Sequence, residues 1–291
     1  MTIQELLVEG KKTLAAPCTT ACIDTPALDA ALLLAETLRL RREDLIVRAN
    51  DEIAGPDCAK YQALLSRRRS GECIAYILGR KEFCRLEFAV KAKVLVPRPD
   101  TETLFEAALE YIDVSAVNNS HALSVLDLCT GSGALAISLK KERPLISVTA
   151  SDISVEALET AALNAGRLLN GESSVNLVHS DLFENLSDRF DVIVSNPPYI
   201  PSGEIPNLAP EVQQEPGLAL DGGEDGLALI RRIIAEAPDH LLPEGVLLLE
   251  AGPAQMPRIK AFMEEHGFIG VRLHKDLAGR ERVVSARLIS L

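Results

Sequence analysis

Asn196-Pro197-Pro198-Tyr199 breaks an otherwise apolar run, "FDVIVS" at 190–195, that reads as a buried strand. Proline has no N–H and blocks the next ladder bond, so the strand must end at about Ser195. A residue before proline is pushed out of the helical region, which leaves Asn196 extended with its amide presented at the strand's edge. That amide offers one acceptor and two donors in a stiff plane. A strand-ending turn is the competing reading of Asn-Pro taken alone. Upstream, "LDLCTGSGALA" at 126–136 puts Asp127 at a strand end and Gly131 and Gly133 at the opening of a helix, where a ligand can approach the backbone without meeting side chains. The next strand ends in Asp152, about twenty residues on, where a carboxylate can accept from ribose hydroxyls. Asp181, in "HSD", closes a third strand at the same rim and suits an adenine amino group. Asp127 would repel a pyrophosphate, whereas the amino group and sulfonium of S-adenosylmethionine are cations that it would attract. The glycine turn taken alone also fits a dinucleotide, and cap or turn duty competes with ligation at each aspartate.

Strands must deliver these residues to one rim. From residue 123 onward, short apolar runs ("LSVLDL", "ISVTAS", "VNLVHS", "FDVIVS", "GVLLLEAG") alternate with helical patterns, which predicts parallel strands, crossover helices and a crevice at the strands' C-terminal ends. Two final strands at about 268–274 and 282–288, joined through "KDLAGRE", predict a hairpin, so the sheet finishes with an antiparallel strand. Ahead of this, "MTIQELLVEGKKTL", "TPALDAALLLAETL" and residues 56–69 carry helical spacing, with Asp24 and Thr25 as cap candidates for the second. "FCRLEFAVKAKVLVP" alternates as a short hairpin. "PRPDTETL" predicts Asp100 or Thr101 capping a helix through Tyr111, with "VNNSH" as a polar break.

Charge is distributed unevenly. The net is −12, yet up to Leu95 there are 15 Lys+Arg against 13 Asp+Glu, and after it 15 against 29. The larger part would therefore repel duplex DNA, whose binders need a basic surface. "SRRRS" at 66–70 can meet a charged partner or form a solvated helix face. Six cysteines at 18, 22, 58, 73, 84 and 129 form no Cys-x-x-Cys pair, and five isolated histidines have no ligand spacing, so reduced thiols and no structural metal are expected. No apolar run reaches membrane-spanning length and the start lacks a signal pattern, so a cytoplasmic protein without membrane contact is expected.

The Asn-Pro-Pro-Tyr tetrad resembles the signature of methyltransferases that modify a planar nitrogen, namely adenine N6, cytosine N4 or a glutamine amide. In such a site the asparagine carbonyl and the Pro197 carbonyl would take the target's N–H bonds, localising a lone pair that resonance otherwise spreads. Pro198 has no donor, and the Tyr199 ring can pack on the planar group. Nearly end to end, and closely over 70–290, the chain resembles the bacterial release-factor glutamine methyltransferase family. The resembling stretches include "GECIAYILGRKEFCRLEFAVKAKVLVPRPDTETL", "LDLCTGSGALAISL", "ASDISVEALETAALNA", "SNPPYI", "EPGLALDGGEDGL" and "KDLAGRERVVSAR".

The resemblance implies a class I S-adenosylmethionine-dependent methyltransferase fold, an α/β doubly wound and mostly parallel sheet preceded by a small helical domain. The domains expected are a helical substrate-recognition domain at 1–80, a hairpin and linker at 81–99 and the methyltransferase domain at 100–291. It also implies methylation of the glutamine in the Gly-Gly-Gln tripeptide of peptide chain release factors, with S-adenosylhomocysteine as coproduct. By position, catalytic residues are expected at Asn196, Pro197, Pro198 and Tyr199, and cofactor contacts at Asp127, Cys129, Thr130, Gly131, Ser132, Gly133, Asp152, Asp181, Leu182 and Asn196. Cys129 stands where family members often carry glycine. "PRPDTE" and "EPGLALDGGEDG" flank the pocket in this reading, or serve as a linker with a cap and a glycine turn. A monomer is expected. The rivals are a ribosomal-protein glutamine methyltransferase, a nucleic-acid adenine methyltransferase, which the charge disfavours, and a non-catalytic translation-factor-binding module.

Overall fold

The computed structural model describes residues 1–17, 23–118, 122–169, 171 and 174–288. Cys18 and Cys22 lie outside them, and the other four cysteines carry free thiols. The chain divides into two compact units: Met1–Arg80 with Asn207–Gln214, and Lys81–Pro206 with Glu215–Leu291.

The first unit is helical, with helices Ile3–Ala15, Pro26–Leu38, Arg42–Val47, Gly55–Arg69 and Ile74–Leu78. Their apolar faces close on one core that includes Ile3, Leu6, Leu33, Leu34, Leu45, Tyr61 and Leu65. Thr2 and Glu5 form a reciprocal cap on the first helix. Thr25 caps the second without a side-chain bond to its backbone; the hydroxyl donates to Asp29 instead, at 2.9 Å. The arginine run is not one solvated face. Arg68 is buried and bridges Asp29 at 2.7 Å and Glu211 at 2.6 Å, so this segment after the tetrad is held by the helical unit's own arginine. Arg67 pairs with Glu72.

The second unit opens with a hairpin, β1 (Arg80–Phe83) and β2 (Leu86–Ala89), followed by a 3₁₀ turn at Pro99–Thr101 and a helix at Glu102–Asn118. That helix runs seven residues past Tyr111 and into the expected polar break; its inner face, with Leu104, Ala108 and Ile112, lies on the core, while Val114 and Val117 beyond it are exposed. The sheet strands are β3 (Ser124–Leu128), β4 (Ser147–Asp152), β5 (Val175–His179), β6 (Phe190–Ser195), β7 (Leu241–Glu250), β8 (Phe268–Lys275) and β9 (Glu281–Leu288). They lie in the order β5-β4-β3-β6-β7-β9-β8, with β9 antiparallel to both its neighbours and the strands from β5 to β7 all parallel. The last strand in sequence is thus inserted between two others rather than added at the edge.

Period two along each strand sorts residues between two cores. Val125, Val192, Val194, Leu248 and Val283 face one side with the helix Ala134–Glu142, while Leu126, Leu128, Ile193, Leu247, Leu249 and Val284 face the other with Ile230, Ile234, Ile259 and Met263. Both faces being covered is why these strands read as continuous apolar runs. Among the described residues no helix is long and apolar enough to cross a membrane.

Candidate active site

Beyond β3 the backbone turns through left-handed conformations at Cys129 (φ 60°), Gly131 (φ 57°) and Gly133 (φ 77°) before the helix Ala134–Glu142. Asp127 is buried and lines a cleft of about 280 Å³. Its Oδ2 accepts from Thr130 Oγ1 at 2.6 Å and from the Ala136 N–H at 3.2 Å. Burial raises its pKa to about 7, partly opposed by those two donors. At the end of β4, Asp152 accepts from the Gly131 N–H at 2.8 Å and the Ser154 N–H at 2.9 Å, so it fixes the turn as well as facing the cleft. Burial raises its pKa too. Asn164, on the helix Val155–Leu168, is fully buried; its Nδ2 donates to the Ser132 carbonyl at 3.0 Å, and it exchanges two bonds with the Ala89 backbone. One side chain thereby ties the glycine turn to β2.

Beyond β6, Ser195 Oγ donates to the Leu128 carbonyl at 2.8 Å, locking the two strand ends together. Asn196 Nδ2 donates one of its two hydrogens to Thr101 Oγ1 at 3.0 Å, which fixes the amide plane and leaves the carbonyl oxygen free as an acceptor for a ligand. The two flanking motifs meet across the site: Glu215 accepts from the Val96 N–H at 3.1 Å and from Arg98 at 2.6 Å. The tetrad's far side is braced by the glycine segment, where Ile200 and Gly222 bond through their backbones and Gln255 Nε2 donates to the Tyr199 carbonyl at 2.9 Å. Gly226, at φ +72°, sits so close that a Cβ there would lie 2.2 Å from that same carbonyl oxygen.

The cleft brings together Asp127, Cys129, Thr130, Gly131, Ser132, Asp152, Asp181, Leu182, Asn196 and Pro198, and does not bring in Gly133, Pro197 or Tyr199. Gly133 has a packing reason for its type, since a Cβ would meet Ile137 at 2.9 Å and Ala161 at 3.0 Å. Pro197 is buried. The Tyr199 ring packs on the second core rather than over the cleft, and burial raises its hydroxyl to about 12, keeping it neutral. Asp181 is bridged by Arg232 at 3.0 Å, and both line the cleft. Burial pushes the Cys129 thiol far above its ordinary range, so it is inert packing rather than a nucleophile. Arg232 and Asn164 went unnoticed in the sequence, where Thr101 reads only as a helix cap and not as a partner of Asn196. For Thr101 a signal existed in the flanking "PRPDTE", but the other two have no local pattern.

Residues 111–212 match the Methyltransferase small domain family and residues 5–79 the PrmC N-terminal domain family. A solved methyltransferase from Pyrococcus furiosus shares the fold, with a TM-score of 0.53 and 21% identity over 80% of this chain and 100% of that one. Sheet order, cleft and domain match define the class: the protein is a methyltransferase. A release factor glutamine methyltransferase from Agrobacterium fabrum is 38% identical over 98% of this chain and 97% of its own length. One from Burkholderia pseudomallei is 42% identical over 90% and 92%. The chain belongs to the release factor glutamine methyltransferase family.

Proposed function

We propose that the protein transfers a methyl group from S-adenosylmethionine to the side-chain nitrogen of the glutamine in the Gly-Gly-Gln tripeptide of peptide chain release factors. The substrate class follows the relatives' names, and the cofactor follows the donor set of the cleft. The buried Asp127 carboxyl, with a pKa raised to about 7, has most to gain from a cationic neighbour, and Asp152 keeps lone pairs for hydroxyls after serving two backbone N–H groups. Backbone at Gly131 and Ser132 lines the same space. Residues suited to hold the cofactor are therefore Asp127, Thr130, Gly131, Ser132, Asp152 and Leu182. When bound, it supplies a methyl carried on a sulfonium and leaves as S-adenosylhomocysteine.

One observation carries the reading: Asn196 stands at the cleft with its Nδ2 already bonded to Thr101. Its Oδ1 can then accept an N–H of a planar amide, draw density onto the nitrogen and hold the lone pair in one direction. Pro198 adds an apolar wall without a competing donor. Asparagine is no base near neutrality, so the proton lost from the methylated nitrogen passes to water. Asn196→Ala should lose about 2.7–4 kcal/mol of transition-state stabilisation, the scale of removing one preorganised hydrogen-bond partner. Single-turnover methyl transfer checks this, with cofactor affinity changing little. An unaltered rate would reduce the tetrad to a strand end.

A further inference from the structure

Glu250 ends β7 one residue beyond the Leu249–Ser195 pair, as Asn196 does on the neighbouring strand. It is fully buried, and no hydrogen bond of good geometry reaches Oε1 or Oε2 among the described residues, the Thr101 hydroxyl being the one donor that bears on the carboxyl. Such a carboxyl is costly to bury and is retained where it has a task. The charged groups that bear on it are already engaged: Arg98 bridges Glu215 at 2.6 Å, and Arg282 bridges Asp100 at 2.9 Å and Asp276 at 3.3 Å. Burial pushes its pKa up to about 7, with Asp100 adding to the rise and Thr101, Arg282 and Arg98 opposing it. Tyr199, also near, stays neutral.

The Thr101 hydroxyl is adjacent to this carboxyl and accepts from Asn196 Nδ2. A hydroxyl has one proton to give, and the unpartnered acceptor beside it is Glu250. We infer that Glu250 is a positioning residue which, through the Thr101 hydroxyl, sets which end of the Asn196 amide faces the cleft. The ionised carboxylate draws the Thr101 proton, the Thr101 oxygen accepts from Nδ2, and Oδ1 is turned to the ligand. The protonated carboxyl donates to the Thr101 oxygen, whose own proton then turns to Asn196. The amide flips and presents two donors to a target that needs an acceptor. This deepens the proposed function, since it rests on Asn196 holding an amide.

The test uses the intact, ligand-free protein. The Asn196 side-chain NH₂ resonance, assigned by its loss in Asn196→Asp, is followed by nitrogen-edited NMR from acid to alkaline pH. A transition near neutrality is expected, absent in Glu250→Gln and Thr101→Val and present in Thr101→Ser. Asp127 titrates in the same range and lines the same cleft, so Asp127→Asn is the control and should retain the transition. A transition that survives Glu250→Gln, or vanishes with Asp127→Asn alone, overturns the inference. If Glu250→Gln fails to fold, the Thr101 pair decides by the same criterion. In turnover with release factor, Glu250→Gln should lower kcat about tenfold, less than the direct loss of a catalytic partner at about 10²–10³, with KM nearly unchanged. It should also flatten the acid limb of the pH profile. A pure KM effect contradicts it. Should the unmodified protein label no release factor, the substrate reading falls while the resonance experiment still decides the role of Glu250.

Discussion

At the scale of single residues, Asp127 makes the cleft sensitive to protons. Its folded pKa, raised to about 7 by burial, lies above the ordinary carboxylate value, so the neutral form is favoured by folding. The stability it contributes is complete below the unfolded pKa and is lost as pH rises through about 7. A bound cation reverses the preference, because it attracts the ionised form. Cofactor binding at pH 6 should therefore release close to one proton, and almost none at pH 8.5. Calorimetry in buffers of different ionisation enthalpy reads this directly. The buffer dependence should disappear in Asp127→Asn, and a dependence that remained would assign the proton elsewhere. Asp152 calls for a different experiment, because its carboxylate holds the Gly131 and Ser154 N–H groups. Its removal loosens the turn along with any ligand contact.

Among the elements, the tetrad's geometry is set by its neighbours as much as by its prolines. Gly226 lets the backbone pass beside the Tyr199 carbonyl at a distance that no side chain permits. Gly226→Ala should displace the tetrad and slow methyl transfer while leaving cofactor affinity near that of the parent. Strain at its positive φ alone costs about 1–3 kcal/mol. Thermal unfolding together with single-turnover rates checks both parts, and unchanged rates would mean that the brace is dispensable. The sheet strands were legible as apolar runs because helices bury both faces, and the antiparallel ending was legible from the short "KDLAGRE" link. The end of the helix Glu102–Asn118 was not: its core-facing residues stop at Ile112, and the helix continues through exposed Val114 and Val117, which no apolar spacing marks. Contacts between distant positions were equally hidden. Asn196 to Thr101, Asp181 to Arg232 and Asn164 to Ala89 and Ser132 join separate elements, and no periodicity records which strand end lies beside which turn.

For the whole molecule, the uneven charge and the two units bear on what the enzyme can hold. The part up to Leu95, with 15 basic against 13 acidic residues, is close to neutral, and we propose that its helical unit grips the release factor. Asn207–Gln214 belongs to that unit too, anchored by Glu211 on Arg68. Deleting residues 1–80 would thus strip this segment of its partner, and the intact chain is the right object for a substrate test. The excess of 29 acidic over 15 basic residues after Leu95 argues against a nucleic-acid target. The direct measurement offers purified protein and labelled S-adenosylmethionine to a release factor, to ribosomal proteins and to DNA in separate reactions, and locates any added methyl by tandem mass spectrometry. The account predicts label on the release factor alone, on the glutamine of Gly-Gly-Gln. Label on a ribosomal protein or on DNA, with the release factor unmodified, would contradict it.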